Sequence, residues 1–251
     1  MDFSALVDYT DELLQVKDFS YDYCINGVHV STDRDVKKIF SGVTASLSLI
    51  NRAVNFGADV IIVHHGLFWF SDPFAMTGTT KDRVAVLLEH DIGVLAYHLP
   101  LDAHPTLGNN FCLARLMGWR WDGVTFGRHQ LGFIGSLEHP LLASDFSKHI
   151  GQVLNRQPLL LCSDDSKLIR RVAWITGAGQ SYFKDAVSLG VDAFVTGEVS
   201  EFVYHLAMET GVAYVAAGHH ATERYGVQAL SELLASTFGL SHRYSDLDNP
   251  V

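Results

Sequence analysis

Cysteine is scarce in this chain: three residues in 251, at Cys24, Cys112 and Cys162. Their scatter excludes a thiolate zinc site of the Cys-x-x-Cys type and suits a reducing, cytoplasmic location. Any metal would have to be held by nitrogen and oxygen, and thirteen histidines supply the nitrogen. Basic residues are also few, with 18 Lys and Arg against 28 Asp and Glu, a net charge of −10. That balance weighs against nucleic acid and anionic membrane as partners, because both need a basic surface. No apolar run approaches the ~20 residues of a membrane span. The opening Met1-Asp2-Phe3-Ser4 lacks the charged-then-apolar pattern of a secretion signal. Proline- or serine-rich linkers are missing, so two halves would pack closely rather than hang on a tether. Neither a Walker loop nor a Gly-x-Gly-x-x-Gly strand–helix turn is present. What remains is a chain with 48% hydrophobic and 18% charged residues, the balance of a globule with a real core.

Strand and helix signals alternate, which predicts an α/β fold. Leu47, Ile50 and Val54 mark one face of a helix that stops at Gly57. Val60-Ile61-Ile62-Val63 reads as a buried strand, as do the apolar run Ile92–Tyr97 and Val172–Ile175. The last helix carries Val227, Leu230, Leu233, Leu234 and Phe238. The chain also repeats itself weakly. The stretch Ala53–Val63 aligns with Ala186–Thr196, each running helix end, glycine, aspartate, buried strand. Two similar α/β halves are therefore expected, residues 1–125 and 126–251, joined near Gly123–Gly127. An exchange of the C-terminal segment into the first half is compatible with such a duplication. Equivalent strand ends would then face a shared cleft, the expected place of a ligand.

His64-His65-Gly66 stands at the end of the first of these strands. Imidazole is the commonest side-chain metal ligand. Two further strand-end loops carry ligand-type residues: one holds Asp102, with His98 and His104 close by, and the other is Gly218-His219-His220-Ala221-Thr222-Glu223. A helix starting near His220 would put His219 and Glu223 about one turn apart on one side. Adjacent side chains on an extended segment point in opposite directions, so His64 and His65 are predicted to serve two neighbouring ions. A carboxylate can bridge them. His64, His65, Asp102, His219 and Glu223 would form a mixed N/O dinuclear site open to Zn, Mn or Fe. Each residue alone also has a plain reading: a core histidine, a loop aspartate, a glutamate complementing a helix dipole.

Several blocks occur in order: Asp22–Val30, Gly42–Ser46, the Ile-Ile-Val-His-His-Gly segment, His98-Leu99-Pro100-Leu101-Asp102, Leu107-Gly108-Asn109-Asn110, Thr196-Gly197-Glu198 and Gly218–Glu223. With them the chain resembles the NIF-three-like family, also called the YbgI or GTP cyclohydrolase I type 2 homologue family, over nearly its whole length. Val28-His29 stands where Leu-Gln is usual, and Ile25 where proline is common; neither touches a candidate ligand. The resemblance implies that the two α/β halves are intertwined with the metal site in the cleft between them, the same five metal ligands with Glu223 as the bridge, two divalent ions, and a ring-shaped homohexamer with the sites facing an inner cavity. It also implies hydrolytic opening of the guanine imidazole ring of GTP, with His98, Glu198 and His220 as candidates for proton transfer or substrate contact. The expected function is thus a metal-dependent hydrolase of a nucleotide or related small molecule. The alternative is a non-catalytic metal-binding ring that engages a partner or DNA in repair.

Overall fold

The structure, a computed structural model, describes residues 1–73 and 75–251. Two compact units divide the chain: Met1–Gly108 with Gly226–Asp248, and Asn109–Tyr225 with Asn249–Val251. Among the described residues, eleven strands run through them: β1 (Gly27–Val30), β2 (Lys38–Thr44), β3 (Val60–His65), β4 (Gly93–Ala96), β5 (Trp119–Phe126), β6 (Gly132–Leu142), β7 (Leu159–Leu161), β8 (Leu168–Trp174), β9 (Ala193–Thr196), β10 (Ala213–Ala216) and β11 (Ser241–Tyr244). Among the described residues, no helix is long and apolar enough to cross a membrane.

The first unit is a five-stranded sheet in the order β1-β4-β3-β2-β11. Strands β11, β2, β3 and β4 run parallel, and β1 is antiparallel to β4. Val60 and Ile62 pack on one side with Leu6, Leu230 and Leu234. Ile61 and Val63 pack on the other with Leu49, Ala53 and Leu87. Strand β3 is apolar without alternation because helices cover both of its faces. The helix Leu47–Phe56 is started by Ser46, whose hydroxyl accepts from the Leu49 N–H, and stopped by Gly57 at φ 70. Only a glycine takes that left-handed cap without steric cost.

The second unit is a six-stranded sheet in the order β5-β6-β8-β9-β10-β7, parallel through β8, β9 and β10. Trp174, Val195 and Val215 face a core with Phe146 and Leu113. Ala173, Phe194 and Tyr214 face a second core with Phe183 and Val203.

The expected boundary at 125/126 lies inside the second unit. Helix Asn109–Met117 buries Leu113, Ala114 and Met117 in that unit's core, and the Asn110 carbonyl accepts from the Trp174 indole N–H at 3.0 Å. Gly123 sits where the β5–β6 register shifts, between Trp121 and Val124. Gly127 directly follows β5. The two glycines thus mark an irregularity and the end of a strand, not a junction. Val227, Leu230 and Leu234 pack in the first unit's core, within the segment Gly226–Asp248 that groups with Met1–Gly108.

The repeat has a physical cause. Asp59 Oδ2 accepts from the peptide N–H groups of Lys37 and Lys38, at 2.8 and 2.9 Å. Asp192 Oδ2 accepts from Arg170 and Arg171, both at 2.9 Å. Each aspartate also links three strands through its own backbone, Asp59 to Lys38 and Gly93, Asp192 to Arg171 and Ala213. Glycine, aspartate, strand is one joint made twice. Asp59→Ala and Asp192→Ala are each expected to cost ~1–2 kcal/mol, since a charged acceptor is removed from two donors. Urea denaturation of the two variants checks this; effects that differ by more than about threefold would contradict the equivalence.

Candidate metal centre

In the first unit, β3 delivers His64 and His65, and the loop after β4 delivers His98. His64 is fully buried. Its Nδ1–H donates to the Tyr97 carbonyl at 2.8 Å, which leaves Nε2 as the outward nitrogen, 3.6 Å from Asp102 Oδ1. His65 Nδ1 lies 3.2 Å from Thr44 Oγ1. His98 Nδ1 lies 2.9 Å from Asp22 Oδ1. One nitrogen from each of His64, His65 and His98 falls within 4.8 Å of the others. His104 turns away: its Nδ1 accepts from the Leu107 N–H at 3.1 Å.

The adjacent histidines do not diverge as strict alternation predicts; their ring centroids are 4.6 Å apart. Pairing of β3 with β4 ends at Val63, while pairing with β2 continues to His65. Held on one side only, the strand end is free to twist both rings toward one region.

Asp22 anchors this cluster from below. It accepts from the Cys24 N–H, the Asn26 amide and the Leu99 N–H as well as from His98. Burial works to raise its pKa, but the bond and charge of His98 and the other donors outweigh it, and the carboxyl is held below its usual range. Cys24 beside it is pushed up to about 12, chiefly by burial, so it offers no thiolate near neutral pH. The donors gathered here are nitrogen and oxygen, as the cysteine spacing requires.

In the second unit, the loop after β10 delivers His219, His220 and Glu223. His219 opens the short helix His219–Thr222, and Glu223 caps it. His219 Nδ1–H donates to Glu198 Oε1 at 2.7 Å, and Nε2 lies 3.0 Å from Glu223 Oε2. Glu198 is itself fixed: its other oxygen accepts from the Gln180 amide at 3.1 Å. Burial disfavours the charged form of His219, but Glu223 and Glu198 overcome it and raise its pKa to about 9. His220 is buried, and its peptide N–H donates to the Val251 carbonyl at 3.1 Å.

Glu223 is 3% exposed and lies against Gly177. Gly177 has φ +66, and a Cβ there would fall 2.0 Å from Glu223 Oε1 and 3.1 Å from His219 Nε2. The missing side chain is the space the carboxylate occupies. Nothing in the sequence pattern marks this role of Gly177, or the contacts of Asp22 and Thr44 with the histidines. The one available signal was position: Gly177 lies just beyond a strand, as Glu198 and His219 do, and His64 and His65 end one.

The donor set therefore fits divalent cations. All donors are nitrogen or oxygen, and His64 and His219 each have one ring nitrogen committed to an acceptor, which fixes the tautomer and aims the other.

A model of the family Duf34/NIF3 (NGG1p interacting factor 3) matches residues 1–250. A Pseudomonas aeruginosa protein described as "GTP cyclohydrolase 1 type 2 homolog" is 45% identical over 250 residues, covering 99% of this chain and 98% of that protein. A Vibrio cholerae protein of the same description is 47% identical over 232 residues, 92% of each. Among solved structures, protein ybgI, described as of unknown function, superposes with a TM-score of 0.95 at 42% identity over 100% of both chains.

Proposed function

The chain belongs to the Duf34/NIF3 family, and on that premise we propose that it binds two divalent cations and hydrolyses a nucleotide or related small molecule. His64, His65, Asp102, His219 and Glu223 would hold the ions. The observation that carries this reading is the orientation of the two most constrained imidazoles. His64 is tied to the Tyr97 carbonyl and His219 to Glu198, and each presents its remaining nitrogen toward a carboxylate. Structural histidines in a core have no need of such aim. Zn, Mn and Fe all accept this N/O set.

Cations held there would supply Lewis acidity toward a substrate oxygen. The protein's own residues do the rest. Asp22 fixes His98 through Nδ1, and His98, grouped with His64 and His65, is the candidate to carry a proton to or from substrate. Glu198 positions His219 through Nδ1. His220 completes the set of candidate substrate contacts. Relatives described as GTP cyclohydrolase 1 type 2 homologues support GTP, with opening of the guanine imidazole ring, as the first substrate to assay. A homohexameric ring is part of the same reading. A non-catalytic scaffold that engages DNA is disfavoured by the net charge of −10.

Protein reconstituted with Zn, Mn or Fe is expected to carry about two ions per chain by elemental analysis, to turn over GTP or another nucleotide, and to run as a hexamer in light scattering. The double variant His64→Ala, Glu223→Ala should lose both ions and all turnover. Ions retained by the double variant would sink the ligand assignment. Ions bound without turnover of any nucleotide in the panel would sink the hydrolase.

A further inference from the structure

Beside the histidines of the first unit stands a group of aromatic rings that cation binding leaves unused. Tyr23 and Trp69 stack with centroids 5.4 Å apart and planes at 30°. Both meet His98 edge-on, each with centroids 5.2 Å away, and Trp69 lies 6.0 Å from His65. The pair is held by the backbone. Cys24 and Trp69 form an isolated antiparallel bridge, and the Phe70 N–H donates to the Tyr23 carbonyl at 2.8 Å. Asp22, the residue before Tyr23, is the one that grips His98. A single segment, Asp22-Tyr23-Cys24, thus registers the stacked rings against the imidazoles.

Tyr23 is nevertheless 56% exposed. A ring that served only as filling would be covered, since burying aromatic area is a large favourable term. Here the ring is fixed in place and presented to solvent next to the donor cluster. The sequence also has no phosphate-binding loop, so the handle for a nucleotide has to lie elsewhere on the molecule. Building on the hydrolytic reading of the neighbouring site, we propose that Tyr23 and Trp69 are a stacking platform for a planar heteroaromatic ring, a purine base of the substrate. Stacking reads the π-face that every base has. It selects for a flat ring without specifying which purine, and it places that ring alongside His98 and His65.

Two probes separate ring from phosphate: guanosine, which has the ring alone, and inorganic triphosphate, which lacks it. In calorimetric titrations of cation-loaded protein, guanosine is expected to bind. Tyr23→Leu should weaken it ~5- to 100-fold, the value of one stacked base, whereas Tyr23→Phe should keep most of the affinity. Both variants should bind triphosphate and cations as the unchanged protein does. Should Tyr23→Leu fail to fold by circular dichroism, Trp69→Leu carries the same expectation. The platform is overturned if guanosine does not bind, or if Tyr23→Leu binds it equally well. It is also overturned if Tyr23→Leu changes the oligomeric mass and not guanosine affinity, which would make the rings a contact between copies. Failure of the cation reading looks different: no ions are found, while guanosine binding still depends on Tyr23.

Discussion

Gly177→Ala is expected to strip the protein of its cations although residue 177 donates nothing to them. Two costs combine. At φ +66 an alanine is strained, by ~1–2 kcal/mol for a left-handed L-residue. Its Cβ would also stand 2.0 Å from Glu223 Oε1, far inside any allowed contact. The neighbour that must yield is a carboxylate 3% exposed that faces His219 Nε2 at 3.0 Å. Moving it takes away a proposed ligand and disturbs the imidazole beside it. Loss of about 100-fold in cation affinity is expected, the upper end for changes around a metal's ligands. Gly190→Ala is the control. Gly190 has the same φ of +66, but nothing lies within 4 Å of its would-be Cβ, so it bears the backbone cost alone. The two variants should lose similar stability from strain, with Gly177→Ala losing more in total, and only Gly177→Ala should lose metal by elemental analysis and calorimetry. Equal cation content in both variants would refute the cradle.

The metal-free and metal-loaded protein should respond to pH in opposite senses. In the metal-free chain, His219 sits between Glu198 and Glu223 and its pKa is raised from 6.5 to about 9. A raised folded-state value means that the folded chain binds the extra proton. The stabilisation is fully present below about 6.5 and is lost as pH rises through about 9. At ~1.4 kcal/mol per unit its size is on the order of 3 kcal/mol. Cation binding needs the neutral imidazole, so the same proton must leave when the ion arrives. Cation affinity should therefore rise with pH up to about 9, by as much as ~tenfold per unit from this group. Urea denaturation with a chelator present, compared with His219→Gln to isolate this residue, checks the first slope; competition titration with a metal indicator checks the second. Glu198→Gln should move both transitions to lower pH. If wild type and His219→Gln follow parallel stability profiles, the charged pair contributes nothing and the account is wrong.

Much of the fold could be read along the chain because its signals are local. Val60-Ile61-Ile62-Val63 is apolar throughout because both sheet faces are covered, and a run bounded by Gly57-Ala58-Asp59 and Gly66 announces that. The repeat was legible because Asp59 and Asp192 do one job, and a carboxylate bonded to two successive peptide N–H groups has few substitutes. His219 and Glu223 could be paired from their spacing of four residues, since one turn brings such residues together.

Other features were settled only when the chain folded back on itself. Alternation predicted that His64 and His65 diverge, and the one-sided pairing beyond Val63 brings their rings together. Helix Asn109–Met117 carries no mark of which core it will join; Trp174, far along the chain, decides by bonding the Asn110 carbonyl. Asp22 precedes His98 by 76 residues, and Gly177 is required by a glutamate in another loop. By itself the sequence determined the α/β class, the strand ends and the donor types, all of which follow from neighbours in the chain. The tertiary structure alone decided which nitrogen each imidazole presents and where a side chain must be missing, because both depend on acceptors and volumes supplied by residues remote in sequence.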